Sequence, residues 1–293
     1  MILYKFREDS EFTEAILNED KVWLSKPENL NDPFECSIEK ISKYAFKEKI
    51  NLLKKQQIEA FCFGLVLQSS SGLINRKDAD RITKRIGKWN SIEKKYEALM
   101  KYYDSIGAQK PTNPEDIYND FYEKIKNIGI FSMTENVNQQ LMWAHYANSH
   151  KGLAIGFEVS ESSKLADPRF CLKVNYIDEI ASFIGPQLKT DLLIGAQYKL
   201  QKVSMDDPTF QAVVSTKVTD WNYEEEWRYI ELTSGSYKCP SKIKEIVFGL
   251  RCTEDVRKKY IQLGKKNNEN INFYEMVKVE NKNELMKNLI EFD

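Results

Sequence analysis

The chain is expected to fold as an α+β protein. Strands from its N- and C-terminal parts make one mixed β-sheet core, and a helical block is inserted after the second strand. Three observations predict this. Short apolar segments of strand character stand at both ends, Ile2-Leu3-Tyr4-Lys5-Phe6 at one and Ile243 to Leu250 and Ile271 to Val279 at the other. Between about residues 40 and 127 the chain is instead rich in Lys, Glu and Gln, with apolar residues at helical intervals. No internal repeat or low-complexity tract interrupts the whole.

Each element has its own signal. After the first strand, Phe12, Ala15 and Ile16 share one face of a helix over Glu11–Asn18, with Ser10 as N-cap. Val22-Trp23-Leu24-Ser25 reads as a second short strand. Two prolines and two Asx residues make Lys26 to Glu35 an ordered turn, because proline fixes φ and Asx side chains bond nearby backbone. In the helical block, Ile41, Tyr44 and Ala45, then Ile92, Tyr96, Leu99 and Tyr103, keep helical spacing. Ser69-Ser70-Ser71-Gly72 breaks the run, and Asn113-Pro114 starts another helix as N-cap and first-turn proline. Strand character returns at Gly129 to Met133. A helix carrying Trp143 and His145 precedes a strand over Leu153–Val159. Asp207-Pro208 opens a helix through Val214, and Glu226 to Leu232 alternates like a half-buried strand. A helix over Thr253–Lys266, with Thr253 as N-cap and two acids in its first turn, links the last two strands. A core that joins distant segments makes residues 1–293 a single domain with the insertion at about 40–127.

Composition excludes several classes. The 43 basic and 44 acidic residues nearly cancel, so no broad electrostatic footprint for nucleic acid or membrane follows, although a local basic groove stays open. Five scattered cysteines without a Cys-x-x-Cys pair suit a reduced, cytoplasmic protein. Two histidines five residues apart do not fit a helical zinc site, so no metal is expected. The N-terminus turns polar at once, unlike a signal peptide, and no apolar run is long enough to span a bilayer. Glycine-rich phosphate loops, dinucleotide fingerprints, a nucleophile elbow and a clear Cys–His pair are absent from the sequence.

Two stretches carry candidate chemistry. Gln140 to Gly152 holds both histidines and one of the five tryptophans. An aromatic surface, two titratable rings and a glycine brake before a strand suit the wall of a ligand pocket. Leu141, Met142, His145 and Tyr146 also fall at helical spacing, which suits a core-facing helix with a satisfied histidine. The second stretch is Asp220-Trp221-Asn222-Tyr223-Glu224-Glu225-Glu226-Trp227-Arg228-Tyr229. Strand alternation puts Glu224 and Glu226 on one face and Glu225 on the other. Two carboxylates on one face raise a pKa or demand a cation, and Arg228 is placed to supply it. The alternative is a solvated charge cluster paired with Arg228. Arg7, with Tyr4 three residues before it, and Asn31 and Asp32 are further candidates. Turn capping accounts for the last two without invoking a site.

Tyr4-Lys5-Phe6-Arg7, Leu30-Asn31-Asp32-Pro33-Phe34-Glu35, Leu141-Met142-Trp143-Ala144-His145-Tyr146-Ala147 with His150-Lys151-Gly152, and Tyr223-Glu224-Glu225-Glu226-Trp227-Arg228 resemble, in order, the bacterial and phage family known as domain of unknown function 2971. That resemblance supplies no activity. The order strand–Arg, strand–Ser, aromatic helix and Glu-x-Glu before an apolar strand also resembles the ADP-ribosyltransferase superfamily. The departures are Leu24-Ser25-Lys26 in place of Ser-Thr-Ser and an insertion between the halves. This second resemblance implies NAD as substrate and no metal. Carried over, Arg7 holds NAD, Ser25 supports the site, Trp143 or Tyr146 stacks on nicotinamide, Glu226 is the catalytic acid, and Glu224 orients a protein or nucleic-acid acceptor; Tyr4, Asn31 and Asp32 are further candidates for binding NAD. Such a chain is a transferase or NAD glycohydrolase acting as a toxin or phage-defence effector. Two other functions stay open. One is metal-independent RNA cleavage with His145 as general acid or base and Arg7 and Arg228 neutralising phosphate. The other is binding of a nucleotide-like small molecule or a partner without catalysis.

Overall fold

The computed structural model describes residues 1–36, 43–178, 205–268 and 270–292. The chain divides into two compact units, Met1–Cys36 with Lys124–Ile180 and Gln211–Asp293, and Ser37–Glu123 with Ala181–Phe210.

In the first unit the strands are β1 (Ile2–Arg7), β2 (Lys21–Leu24), β3 (Gly129–Thr134), β4 (Leu153–Glu158), β5 (Cys171–Lys173), β6 (Asn175–Tyr176), β7 (Thr216–Lys217), β8 (Glu226–Glu231), β9 (Gly235–Lys238), β10 (Ile243–Phe248), β11 (Asn272–Lys278) and β12 (Leu285–Leu289). Eight of them form one sheet in the order β12-β11-β10-β4-β1-β3-β8-β5. Only β10 and β11 run parallel within it, which makes the sheet mixed. A parallel pair needs a crossover, and the 14-residue helix Glu254–Asn267 provides it.

Both faces of the sheet are covered, so β4 is buried at five of its six positions. On one face Leu3, Ile155, Phe157, Ile246 and Phe248 pack with Ile16 and Leu17 of α1 (Glu11–Asn18) and with Tyr260 of the crossover helix. On the other, Tyr4, Phe6, Ala154 and Val247 pack with Met142, Trp143 and Ala147 at the helix Gln140–Tyr146. Neighbouring residues of one strand thus serve opposite layers, as the pleat requires. Ser10 caps α1 as expected, its Oγ accepting from Thr13 N at 3.4 Å.

One sequence expectation is corrected. β2 does not join the main sheet; it pairs with β9 in a two-stranded sheet of its own. Its amphipathic pattern supports this, with Val22 and Leu24 buried in the core and Trp23 60% exposed. Just past β2 the segment meets the main sheet at Ser25, whose N–H and C=O exchange hydrogen bonds of 2.9 and 2.8 Å with Ile130.

The edge of β3 is consequently shared. β1 pairs with β4 along all six residues, but its register with β3 is limited to Tyr4 opposite Thr134. Ser25 pairs opposite Ile130, and between the two contacts the C=O of Ser132 accepts from Lys5 Nζ at 2.9 Å. A side chain therefore stands where a ladder bond would otherwise continue, and the sheet opens between β1 and β3.

The second unit contains α2 (Lys43–Ser70), α3 (Arg76–Gly87), α4 (Ile92–Ser105) and the start of α5 (Pro114–Asn127). α2, α3 and α4 enclose Ile58, Ile86, Tyr96 and Leu99, with Tyr103 against them, so the predicted spacing of α4 is its core face. Asn75, Ser91 and Asn113 cap α3, α4 and α5 through bonds to Lys77 N, Lys94 N and Glu115 N. Ile41 and the side chains of Tyr44 and Ala45 lie outside the described residues. In the first unit the helices Gln140–Tyr146 and Glu254–Asn267 are α6 and α8; Pro208–Val214, between them in sequence, is α7.

Gly152 joins α6 to β4 where no side chain fits. A Cβ there would lie 2.1 Å from the carbonyl oxygen of Arg7, a backbone atom that pairing with Leu153 holds in place. Gly152→Ala should destabilise the protein by about 1–3 kcal/mol, the usual cost of overpacking. Thermal unfolding tests this, and an unchanged midpoint would mean that the β1–β4 junction moves aside freely.

Candidate functional site

The opening between β1 and β3 is a cleft enclosing about 740 Å³ of space that includes its open mouth. Tyr4, Lys5 and Phe6 of β1 line it with Ser25, Asn29, Leu30 and Asn31, and Ser132 and Met133 of β3. Met142 and Tyr146 of α6 form another side, and Glu35, Lys217, Glu224 and Glu226 contribute the charged part.

That charged part is a buried network of three carboxylates and two cations. Lys217 Nζ is 2.9 Å from Glu35 Oε1, 2.6 Å from Glu224 Oε2 and 3.2 Å from Glu226 Oε2. Its ammonium also lies 4.8 Å from the centre of the Trp221 ring. Arg228 donates from Nε to Glu226 Oε1 at 2.9 Å and from Nη2 to Glu226 Oε2 at 3.1 Å. It also donates to Glu35 Oε2, to the Val214 carbonyl at 2.8 Å and to Cys36 Sγ at 3.7 Å. Every member is at least nine-tenths buried. Charges this far from water persist only when each is met by a partner.

Local backbone geometry aims these groups. Glu224 ends the 3-10 turn Thr219–Glu224 and does not lie on the strand, which corrects the expectation of strand alternation. Glu225 follows in the left-handed region at φ 46°, and β8 starts at Glu226. This reversal, not the pleat, turns Glu224 and Glu226 to the same interior; Glu225 stays half-buried beside Asn136. Lys217 is held by the parallel pairing of β7 with β6. Glu35 closes a turn in which Asp32 Oδ1 accepts from Phe34 N at 2.9 Å and the Asp32 carbonyl accepts from Glu35 N at 3.1 Å.

The electrostatics follow from burial against pairing. Burial pushes the Glu226 carboxyl up, but Arg228 and then Lys217 outweigh it and hold the group down at about 2. Burial lowers the Lys217 ammonium, yet Glu226, Glu35 and Glu224 together raise it above its ordinary value. Lys217 is thus a fixed cation rather than a nucleophile. Glu35 is shifted upward, burial outweighing Arg228. Tyr146 donates from its hydroxyl to Glu224 Oε1 at 2.6 Å and accepts from Asn31 Nδ2 at 2.8 Å; burial and then Glu224 raise its pKa, so it stays a phenol. Lys5 is pulled down to about 8, by burial first and then by Arg7, with Glu226 opposing.

Of the residues singled out in the sequence, Tyr4, Ser25, Asn31, Tyr146, Glu224 and Glu226 border the cleft. The Tyr4 hydroxyl is engaged away from that group, donating to Glu245 Oε1 at 2.7 Å and accepting from Lys287 Nζ at 3.0 Å. Four others do not line it. Trp143 is wholly buried, with Nε1 donating to the Val137 carbonyl at 2.7 Å and its ring edge-on to Phe6, so its faces are closed to a ligand. Arg7 donates to Thr13 Oγ1 at 3.3 Å beyond the shared edge of β3. Asp32 is buried as a turn cap, and His145 is exposed beside Tyr146. Sequence reasoning missed Lys5, Glu35, Ser132 and Lys217. Glu35 stood in a quoted motif, while Lys217 carried no local signal. Among the described residues no three His, Cys, Asp or Glu side chains are grouped to hold a metal ion, and no helix is long and apolar enough to cross a membrane.

Lys217→Met should cost about 3–5 kcal/mol near neutral pH, because three buried carboxylates would share one cation. The sign with pH is fixed by direction. Glu226, held below its ordinary 4.5, contributes stability above that pH and loses it as pH falls toward about 2. Glu35, shifted upward, contributes below its ordinary value and loses that contribution as pH rises through its folded value. Removing the ammonium moves the carboxylates upward, so the deficit of the variant should narrow on mild acidification. Urea unfolding at neutral and mildly acidic pH measures it; a gap that is absent or independent of pH would contradict the charge balance described.

No curated protein and no solved structure matches the chain. Residues 142–229 match the family described as Protein of unknown function (DUF2971). Tyr146, Lys217, Glu224, Glu226 and Arg228 fall in that segment, so the chain resembles this family over the part that supplies most of the charged floor of the cleft.

Proposed function

We propose that the cleft binds NAD as substrate and cleaves its nicotinamide–ribose bond, the activity implied by the resemblance to ADP-ribosyltransferases. The observation that carries this reading is the convergence of Ser25, Tyr146, and the neighbouring Glu224 and Glu226, from three separate parts of the chain, on one cleft. In the reaction the C1′–N bond breaks with its electron pair leaving on nicotinamide. The cation developing at C1′ is captured by an acceptor oxygen, water in the minimal case, and the acceptor proton passes to a carboxylate. Stabilising that cation needs a group that stays ionised, and Glu226, held at about 2, does so at any physiological pH. Tyr146, at the cleft where Trp143 is not, offers the aromatic face for nicotinamide. Glu224, bordering the cleft and held by Tyr146 and Lys217, supports a role in orienting the acceptor.

A second reading, ligand binding without turnover, has one observation in its favour. Both Glu226 oxygens are already taken by Arg228 and Lys217, which reduces the field the carboxylate projects into the cleft. RNA cleavage through His145 and Arg7 draws no support from the geometry, since neither residue lines the cleft.

Nicotinamide release from NAD, measured with Glu226→Gln, separates the readings. The change keeps shape and removes charge. Turnover should fall by about two orders of magnitude or more, with KM moving far less. Assays belong below the lowered melting point of the variant, with Glu225→Gln as the control that keeps activity. Equal rates in wild type and Glu226→Gln would remove Glu226 from the chemistry. Saturable NAD binding without nicotinamide release by the wild type would favour the second reading.

A further inference from the structure

We propose that a second cleft, between α3 and α4, binds single-stranded nucleic acid, with Trp89 as the surface on which a base stacks. This cleft lies within the helical unit, shares no residue with the one described above, and does not depend on its function. It encloses about 700 Å³ including its open mouth and is lined by Arg85, Lys88, Trp89, Lys94, Ala98 and Lys101, with Glu97 as its one acid.

Charge is the first argument. The chain as a whole is nearly neutral, yet residues 76–101 hold nine basic residues against four acidic ones. Among the described residues Arg85, Lys88, Lys94 and Lys101 make no ion pair, while Asp78 and Glu93 are matched to Arg81 and Lys47. The dipole of α3 favours cations at its C-terminus and accounts for Arg85 and Lys88. It does not account for Lys94 and Lys101, seven residues apart and so on one stripe of α4, flanking Glu97 and Ala98. A concave surface with one excess sign concentrates a polyanion.

The aromatic is the second argument. Trp89 stands in the short connection between the helices and is 38% exposed. The core of this unit is closed without it by Ile58, Ile86, Tyr96 and Leu99. Its ring instead holds Lys88 Nζ at 4.7 Å and Lys94 Nζ at 5.5 Å from its centre. A base laid on the ring takes the place of a lysine there and brings its flanking phosphates beside the displaced ammonium, and the small Ala98 leaves room for it. Stacking needs an exposed base face, which a duplex hides and a single strand offers. Neither a free anion nor a duplex uses both parts of the cleft.

Fluorescence anisotropy of the full chain with labelled oligo-uridylate and oligo-thymidylate tests the proposal, with a duplex and inorganic polyphosphate as competitors. Saturable binding that weakens with salt is expected, with both single strands competing and the duplex competing poorly. Trp89→Ala should weaken it about tenfold. Lys94→Glu with Lys101→Glu should weaken it further and flatten the salt dependence by about one unit of slope or more. All three positions are exposed, so melting points should be unchanged. Absence of binding at low salt, or binding indifferent to both variants, would overturn the proposal. So would polyphosphate competing as well as the oligonucleotides while Trp89→Ala binds normally, since that outcome leaves charge alone.

Discussion

Arg228 has no exposed surface, and a guanidinium out of water is tolerated only if its N–H groups are met. That requirement organises the first unit. It draws in Glu226 from the same strand, Glu35 from the turn after β2, the Val214 carbonyl at the end of α7 and the Cys36 sulfur. Satisfying the guanidinium brings a second buried carboxylate beside Glu226, and Glu224 adds a third. Lys217 then becomes necessary, and it in turn requires the short parallel pair β6–β7 to hold it. Buried ion networks of this kind are poor sources of net stability, because desolvation consumes most of the Coulombic gain. Their effect is to fix which segments meet.

The opening of the sheet depends on the same region. β3 is fully paired with β8, the strand that carries Arg228, so its position is set from that side. Its other edge is divided between Tyr4 and Ser25, with the Lys5 side chain between them. A cation beside three carboxylates and two cations brings the floor near neutrality. The cleft is therefore polar without being strongly charged, which suits a ligand recognised by hydrogen bonds and a flat ring more than by charge alone. Tyr146 and Asn31, bonded to each other, stand at its exposed side.

Much of the fold was legible because its signals are local. β1, α1, β4, β8 and the β10–α8–β11 unit follow from period, caps and apolar runs. β9 and β12 were not legible: Gly235–Lys238 and Leu285–Leu289 are short and, Leu285 apart, only partly buried or exposed, and are strands because a neighbour offers an unpaired edge. At the site, residue type found Glu224, Glu226 and Tyr146. Of its two candidate aromatics only Tyr146 borders the cleft, and it did not single out Lys5, which lines the cleft where Arg7 does not. Trp143 and Tyr146 sit three residues apart on one short helix, and which of them meets the sheet is decided by the packing of Phe6 and Ala147. Lys5 and Arg7 share a strand face, and it is Lys5 that bonds the carbonyl of Ser132, while Arg7 bonds Thr13. Lys217 depends on a two-residue strand pair, too short to leave a pattern.

The placement of β1 also sets a schedule. It precedes every other strand of the sheet in sequence, yet it lies in the middle of the sheet, flanked by β4 and β3, and Glu35 meets Arg228 across 193 residues of chain. Such contacts are the slowest to close. Until β8 has left the ribosome, Glu35 has no guanidinium to meet and the cleft has no floor. A chain that has not yet reached β8 therefore holds Lys5, Ser25 and Glu35 without the carboxylates and the guanidinium that close the floor of the cleft, and the complete cleft forms only once segments far apart in sequence have met.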